Sequence, residues 1–185
     1  MTLFPFDELN TLKSRIEGDK AADEEEFKKR KDYYIDEVTD LFVMAYVFGT
    51  QEVSGELKTA VTPDMEEMRS VIEEKFDGKD YKDRLNEYFA SGTDYDIARV
   101  LDTDVHRIYN AAKYNGAKRG GATFKTWRTM LDPKVREAHD YLEGVKVGID
   151  DEFYTYTGDS AQYPGGFGVP ELDINCRCYL IYSKE

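Results

Sequence analysis

Two segments decide the fold of this 185-residue chain: T-W-R-T-M-L-D-P-K-V-R-E-A-H-D-Y-L-E-G (Thr126–Gly144) and Y-P-G-G-F-G-V-P-E-L-D-I-N-C-R-C-Y-L (Tyr163–Leu180). Together they contain the only Trp, both Cys and one of the two His of the chain. Rare residue types concentrated in this way indicate a small, specified fold rather than a generic helical stretch.

One short helix and three strands are predicted in and around these segments. Asp132 is suited to cap a helix, Pro133 to occupy its first position and Gly144 to end it. Runs with strand-like patterning predict the three strands, at 123–131, 145–149 and 174–182. The C-terminal part is therefore predicted to be a small α+β unit, in which a short antiparallel sheet carries one packed helix.

The residues before this unit, from 11 to about 118, are predicted to form a helical region. The strongest helix spans 22–48, because its apolar residues recur at steps of three and four and form one stripe, and Gly49 is predicted to end it. We interpret the stripe as the core of the helical region, with docking to a partner or self-association through these helices as the alternative. The stripe consists of Phe27, Tyr34, Ile35, Val38, Leu41, Phe42, Ala45 and Phe48.

Shorter helices are predicted to follow, and cap residues mark their starts. The predicted starts are Thr62 with Pro63, Tyr81, Thr93 or Asp94, and Asp102 or Thr103. Gly116, Gly120 and Gly121 are predicted to break the helical pattern, so the Gly-rich block 115–121 is the best boundary in the chain. The predicted domains are a helical region over 1–118 and the α+β unit over 119–185.

Composition and charge argue against several classes of protein. The formal net charge of −13 repels nucleic-acid phosphate, so DNA binding would need a local basic patch. No stretch approaches the ~20 apolar residues of a membrane span, and residues 1–10 lack the basic start of a secretory signal. Two Cys separated by one residue are a poor disulfide pair. We therefore expect synthesis in a reducing cytoplasm and no membrane partner.

The ordered motifs resemble the Mu F-type minor head protein (phage head morphogenesis) family. The pattern W…D-P-x-V-R-x-x-H-x-x-L-x-G, then D-D-x-F, then Y-P-G…P-x-x-x-x-N-C-R-C, extends over about residues 100–182. Any single motif is weak, whereas the ordered set is specific. The region 1–100 shows no such resemblance. The structural signature includes Trp127, Asp132, Arg136, His139, Gly144, Asn175 and Arg177.

This resemblance implies a structural, morphogenetic protein of a tailed-phage head, made in the bacterial cytoplasm and located in the virion. Such proteins associate with the portal or the capsid interior, and some act in DNA packaging or delivery. The implied partner is therefore a phage portal or capsid protein. The alternative is a metal- or DNA-binding accessory factor that acts in packaging or ejection.

The resemblance implies no established enzymatic activity. Some relatives carry a toxin or ADP-ribosyltransferase domain after the N-C-R-C strand, and with seven residues after Cys178 we expect no such domain here. A thiol–imidazole pair would need an exposed thiolate of low pKa, whereas the predicted Cys face is apolar. His106 lies in a mostly polar helical stretch and is expected to be solvated. We therefore expect no enzyme.

His139, Cys176 and Cys178 are the candidate metal ligands. Alternation along the predicted last strand places both thiols on one face, and helical spacing places His139 on the apolar face of the short helix. If these faces pack together, they offer a donor set that zinc takes, with Asp173 or a loop residue as a fourth ligand. Buried core is the favoured interpretation, because free Cys behaves as a small hydrophobe. No cofactor is therefore expected, and zinc is the alternative.

Mainly structural roles are predicted for the other signature side chains. Arg136 is predicted to pair with Asp140 or, together with Arg177, to brace the long loop 159–173 through its carbonyls or Asp173. Bracing is the favoured role for Arg177. Trp127 is predicted to anchor the core of the small unit, with a role in an interface as the alternative.

A basic island with interleaved aromatic residues is the candidate partner patch. It could contact nucleic acid, meet an acidic portal surface or complement the acidic helices of the chain itself. Because of the net charge of −13, contact with protein is favoured over DNA. The island consists of Lys113, Lys118, Arg119, Lys125 and Arg128.

Overall fold

The computed structural model describes residues 6–76, 78–91 and 97–185, and it has the predicted α+β architecture. A helical part precedes a small antiparallel sheet. The predicted cap at Thr93 or Asp94 lies outside the described residues. In the described chain the helices before the sheet are α1 (Phe6–Ala22), α2 (Glu24–Lys29), α3 (Lys31–Leu57), α4 (Met65–Ile72), α5 (Tyr81–Ser91) and α6 (Ile97–Arg119).

The helices are found where they are expected, but several of their starts differ from the prediction. Asp23 caps the short helix α2, so α3 begins only at Lys31. Asp64, rather than Thr62, caps α4, and its side chain accepts hydrogen bonds from two backbone N–H groups. The helices predicted on either side of Asp102 are one continuous helix, because the apolar residues of both fall on the same buried face of α6.

Two glycines that were predicted to end helices lie inside them. Gly49 is within α3, which continues to Leu57, and Gly116 is within α6. A Cβ added to Gly49 would lie 2.6 Å from the carbonyl oxygen of Tyr109, and one added to Gly116 would lie 2.8 Å from a methyl carbon of Val53. These glycines therefore let α3 and α6 approach each other closely, which is a packing role rather than a helix-ending role.

The apolar stripe of α2 and α3 lies in the core of the helical part, as its favoured interpretation predicted. Phe27 and Tyr34 pack against Phe89 of α5, with ring centroids 5.0 and 5.9 Å from that ring. Ile35 and Phe48 are partly buried at the edge of this core. The stripe members that are fully buried are Phe27, Tyr34, Val38, Leu41, Phe42 and Ala45.

A three-stranded antiparallel sheet forms the centre of the C-terminal part. Its order is β2 (Lys146–Gly148), β1 (Phe124–Arg128), β5 (Tyr179–Ser183), so β1 lies between the other two strands. A separate two-stranded ribbon joins β3 (Phe153–Tyr154) to β4 (Ser160–Ala161). All three predicted strands are present, and each is shorter than predicted.

The predicted helix over 132–144 is also shorter than expected. Arg136 has an extended backbone (φ −68°, ψ 146°), so the helix cannot begin at Asp132 and only α7 (Glu137–Asp140) forms. Gly144 follows it in the left-handed region, with φ 74°. A second four-residue helix, α8 (Pro170–Asp173), lies in the long loop before β5.

The core of the sheet is shared with the two long helices. Trp127 on β1 is completely buried, and its ring lies 5.1 Å from that of Phe153 between centroids. Val53 and Leu57 of α3 and Tyr114 of α6 belong to the same apolar cluster. The sheet therefore packs directly against the crossing of α3 and α6, and this packing fixes α6 beside the C-terminal strand.

Candidate functional site

The N-C-R-C segment leads into β5 without being part of it. Asn175 has a left-handed backbone (φ 56°), which interrupts the strand that was predicted to start at 174. Side-chain burial nevertheless alternates from this point: Cys176 and Cys178 are buried, while Asn175 and Arg177 are exposed. The predicted placement of both thiols on one face is therefore correct, although the hydrogen-bonded strand begins only at Tyr179.

His139 of α7 faces both thiols. Its Nδ1 lies 3.7 Å from Sγ of Cys176 and 3.5 Å from Sγ of Cys178. One ligand atom from each of the three residues fits within a span of 4.8 Å, and all three side chains are buried. The structure thus brings together the three residues that the sequence singled out.

Aromatic packing fixes the His139 ring. The ring stacks on Phe167, with centroids 5.6 Å apart and planes 17° apart, and it meets the edge of Trp127 at 5.8 Å. Its Nε2 is buried without a hydrogen-bond partner among the described residues. Packing therefore orients the imidazole so that Nδ1 is the nitrogen that faces polar atoms.

The two thiols have different acidities. A hydrogen bond with Cys178, and then burial, raises the pKa of Cys176. The same contact lowers the pKa of Cys178 below its usual value. Cys178 is therefore the thiol of the pair that loses its proton more easily.

A cavity of about 1020 Å³ opens beside the two thiols, between the helices and the C-terminal segment. His106 of α6 lines this cavity together with both Cys residues. The His106 side chain is half-buried, and its interaction with the Cys176 thiol only partly offsets the rise in the pKa of that thiol. His106 was predicted to be solvated, and the structure places it at the wall of this cavity. Sequence spacing could not place it here, because 70 positions of chain separate it from Cys176.

Asp173 serves the loop rather than the thiols. Its carboxylate accepts hydrogen bonds from the backbone N–H groups of Phe167, Gly168 and Val169, at 3.2, 2.7 and 3.2 Å. Burial raises the pKa of this carboxyl above its ordinary value. The carboxylate oxygens of Asp173 already accept hydrogen bonds that close the turn before α8. Asp173 is therefore a poor candidate for the fourth ligand that the sequence suggested.

The contacts of the two signature arginines differ from the Asp140 pair and the loop bracing that were predicted. Arg136 donates to the carbonyl oxygen of Ile174 and so braces the main chain just before the Cys segment. Arg177 does not brace the long loop: it forms a two-point ion pair with Asp132, at 2.6 and 2.7 Å. This pair lowers the pKa of Asp132 to about 2. Both arginines hold the segment that carries the thiols against the turn before α7.

The five residues of the basic island do not form one open surface. Lys113 and Lys125 are buried, so neither is available to a phosphate group of a nucleic acid. Lys113 pairs with Glu56 at 2.5 Å, Lys118 with Asp150 at 2.6 Å and Arg128 with Glu143 at 3.0 Å. Arg119 pairs with Glu67. Acidic residues of the same chain thus neutralise four of the five.

Lys125 is the exception, because it is buried and no carboxylate among the described residues forms an ion pair with it. Its Nζ donates to the carbonyl oxygen of Gln162 at 2.9 Å and lies 4.5 Å from the centre of the Tyr114 ring. Burial lowers its pKa from 10.5 to about 8. Lys125 therefore holds β1 against the loop after β4. Burial of its charged amine is unfavourable.

The buried amine should make the stability of the protein depend on pH. Because its pKa in the folded protein is below that in the unfolded chain, the unfolded chain binds more protons between about pH 8 and 10, and the contribution of Lys125 rises with pH. Relative to Lys125→Met, the free energy of unfolding of the wild type should increase by at most about 1.4 kcal/mol per pH unit over this range. Denaturant titrations of both proteins measure this difference, and parallel pH profiles would contradict it.

The chain belongs to the family described as Phage Mu protein F like protein, which it matches over residues 53–181. This range covers well over half of the chain and includes the C-terminal end of α3, all of α6 and the His–Cys cluster. It also begins well before residue 100, where the sequence resemblance was predicted to start. The last five residues of α3 are therefore part of the matched region, and they include Val53 and Leu57 of the shared core.

Two relatives of known name are similar over parts of their length. Minor head protein GP7 of Bacillus phage SPP1 is 31% identical over 83 residues, which cover 43% of this chain and 27% of GP7. NAD(+)–arginine ADP-ribosyltransferase EFV of Enterococcus faecalis is 37% identical over 86 residues, which cover 46% of this chain and 18% of that protein. The chain thus matches less than a third of either relative.

No solved structure matches this chain with significant similarity. Within the part of the chain that the structure describes, no helix is long and apolar enough to cross a membrane.

Proposed function

We propose that this protein is a structural minor protein of a tailed-phage head, which binds the portal or the capsid interior during head assembly and DNA packaging or delivery. The observation that carries the proposal is the family match over residues 53–181, together with the similarity to a protein named as a minor head protein. The virion is then its location. The portal is the partner we propose to test first.

We propose no catalytic role. Both thiols are buried, and a thiolate nucleophile needs access to its substrate. The similarity to the ADP-ribosyltransferase covers 18% of that protein, which is too little to transfer its activity. A DNA-binding role also receives little support, because ion pairs or burial occupy the basic island.

The exposed tyrosines of the family domain are the candidate contacts with the portal. Tyr141 and Tyr156 are 60% and 55% exposed, and their rings lie 6.0 Å apart between centroids. Tyrosine is enriched at protein interfaces, because it offers a large apolar surface with a polar edge. Tyr33 is 41% exposed on α3 but lies outside the matched residues. It therefore provides a matched control.

Co-expression with the portal protein of the same phage tests this proposal. The full chain should copurify with assembled portal rings. Tyr141→Ser with Tyr156→Ser should weaken this association at least tenfold, whereas Tyr33→Ser should leave it unchanged. If the wild-type chain fails to associate with correctly assembled portal, and instead copurifies with the major capsid protein, the partner is the capsid wall. Association with neither would refute the head-assembly proposal.

A further inference from the structure

The chain has two Cys and two His, and both Cys meet one of the His in a buried cluster. These three residues are His139, Cys176 and Cys178, and His106 of α6 lines the cavity that adjoins the two thiols. We propose that these four residues bind one zinc ion, with His139, Cys176 and Cys178 as the buried ligands and His106 as the fourth. Such a site would tie α6 to the C-terminal segment.

The spacing of the buried donors fits a zinc ion. In a tetrahedral site with Zn–S distances near 2.3 Å and Zn–N distances near 2.0–2.1 Å, a nitrogen and a sulfur ligand lie about 3.6 Å apart. Nδ1 of His139 lies 3.5 and 3.7 Å from the two sulfurs. The two nitrogen–sulfur distances that a tetrahedral zinc site requires are therefore already present.

Hydrogen bonding alone explains this arrangement less well. A single ring nitrogen with one lone pair accepts a hydrogen bond from one thiol in a favourable direction, so the other thiol is left with the hydrogen bond between the two thiols. A metal ion between the three atoms requires both approaches. The imidazole is also held in a fixed orientation, because Phe167 and Trp127 pack on it.

Charge favours a second histidine as the fourth ligand. Two thiolates neutralise Zn²⁺, so two neutral imidazoles complete a site without net charge, which suits a buried position. A carboxylate would leave a negative charge there, and Asp173 is already engaged with three backbone N–H groups.

Binding is a proton-releasing step. Each thiol loses its proton as its sulfur forms a bond to the metal, so one Zn²⁺ replaces two protons and no electron is transferred. The cavity beside the thiols gives the ion a path of entry. The site is structural, since four protein ligands leave no open position for a substrate.

Metal analysis of the full-length wild-type protein is the first test. The protein purified without chelator should contain one equivalent of zinc. After the zinc is removed, added Co²⁺ should give the thiolate-to-cobalt charge-transfer absorption of a tetrahedral site with two sulfur ligands. Metal-free protein whose thiols bind neither zinc nor cobalt, and whose Tm is unchanged by added zinc, would overturn the proposal.

Variants separate the buried ligands from His106. Cys178→Ser should abolish the sulfur-to-cobalt absorption, or reduce it at least by half. His106→Gln should weaken zinc binding at least tenfold while the circular dichroism spectrum stays native. Lys134 lines the same cavity but is not a proposed ligand. Lys134→Ala is therefore the control and should bind zinc as the wild type does. Unchanged affinity in His106→Gln would overturn the assignment of the fourth ligand, and native cobalt absorption in Cys178→Ser would overturn the site.

Discussion

Trp127→Ala should lower the free energy of unfolding by about 3–5 kcal/mol, the range for truncating a large aromatic residue in a core. The Trp127 side chain is completely buried, and its ring contacts those of His139, Phe153 and Phe167. The ring fills the space between the sheet and the short helix α7, so its truncation leaves a cavity there. Since small domains are stable by only about 5–15 kcal/mol, the variant should be close to unfolding.

Urea titration followed by far-ultraviolet circular dichroism measures this loss, because the variant has no tryptophan fluorescence. Phe124→Ala is the matched control: Phe124 is on the same strand and is 38% exposed. Its substitution should cost less than about 1 kcal/mol, as for other exposed sites. Equal losses in the two variants would show that strand propensity, rather than the buried Trp core, stabilises the C-terminal part.

The same residues show how far the sequence predicts this fold. Trp127 is the only Trp of the chain and lies on an alternating stretch, so its core position could be predicted. Alternation also placed Cys176 and Cys178 on one face, and this prediction is confirmed. The strand bounds were too long, because the left-handed conformation of Asn175 depends on contacts that local patterning does not contain.

The candidate site was predictable only in part, for a physical reason. His139 and the two Cys belong to segments with clear periodicity, so their faces could be deduced and then packed together. His106 lies on α6, and its position depends on how that helix crosses α3 and meets β5. Periodicity within one helix gives the buried face of that helix but not the segment that covers it. The fourth donor therefore became visible only in the structure.

Glycine is the residue type whose role depended most on tertiary contacts. A Gly after an apolar stripe is typical of a helix end, and Gly49 was interpreted in this way. Its actual role is set by Tyr109, which lies 60 positions further along the chain and packs its backbone against it. No local signal distinguishes a glycine that ends a helix from one that admits a neighbouring helix.

Gly49→Ala should consequently lower the free energy of unfolding by about 3 kcal/mol, at the upper end of the range for overpacking a core. The new Cβ would lie 2.6 Å from the carbonyl oxygen of Tyr109 and 3.1 Å from Cβ of Ala112. The first of these atoms belongs to the backbone of α6, so a side-chain rotation cannot relieve the clash. The two helices would have to separate, and the core that they share with the sheet would loosen.

Gly55→Ala on the same helix should have the opposite effect on the free energy of unfolding. A Cβ at Gly55 meets no atom within 4 Å, and the position is exposed. Alanine there should stabilise the protein by about 0.5–1 kcal/mol, because glycine loses more conformational freedom in a helix. The two substitutions make the same chemical change in α3, so helix propensity contributes equally to both. A difference of about 4 kcal/mol in denaturant titrations would then measure the close contact with α6, whereas similar stabilisation of both variants would rule it out.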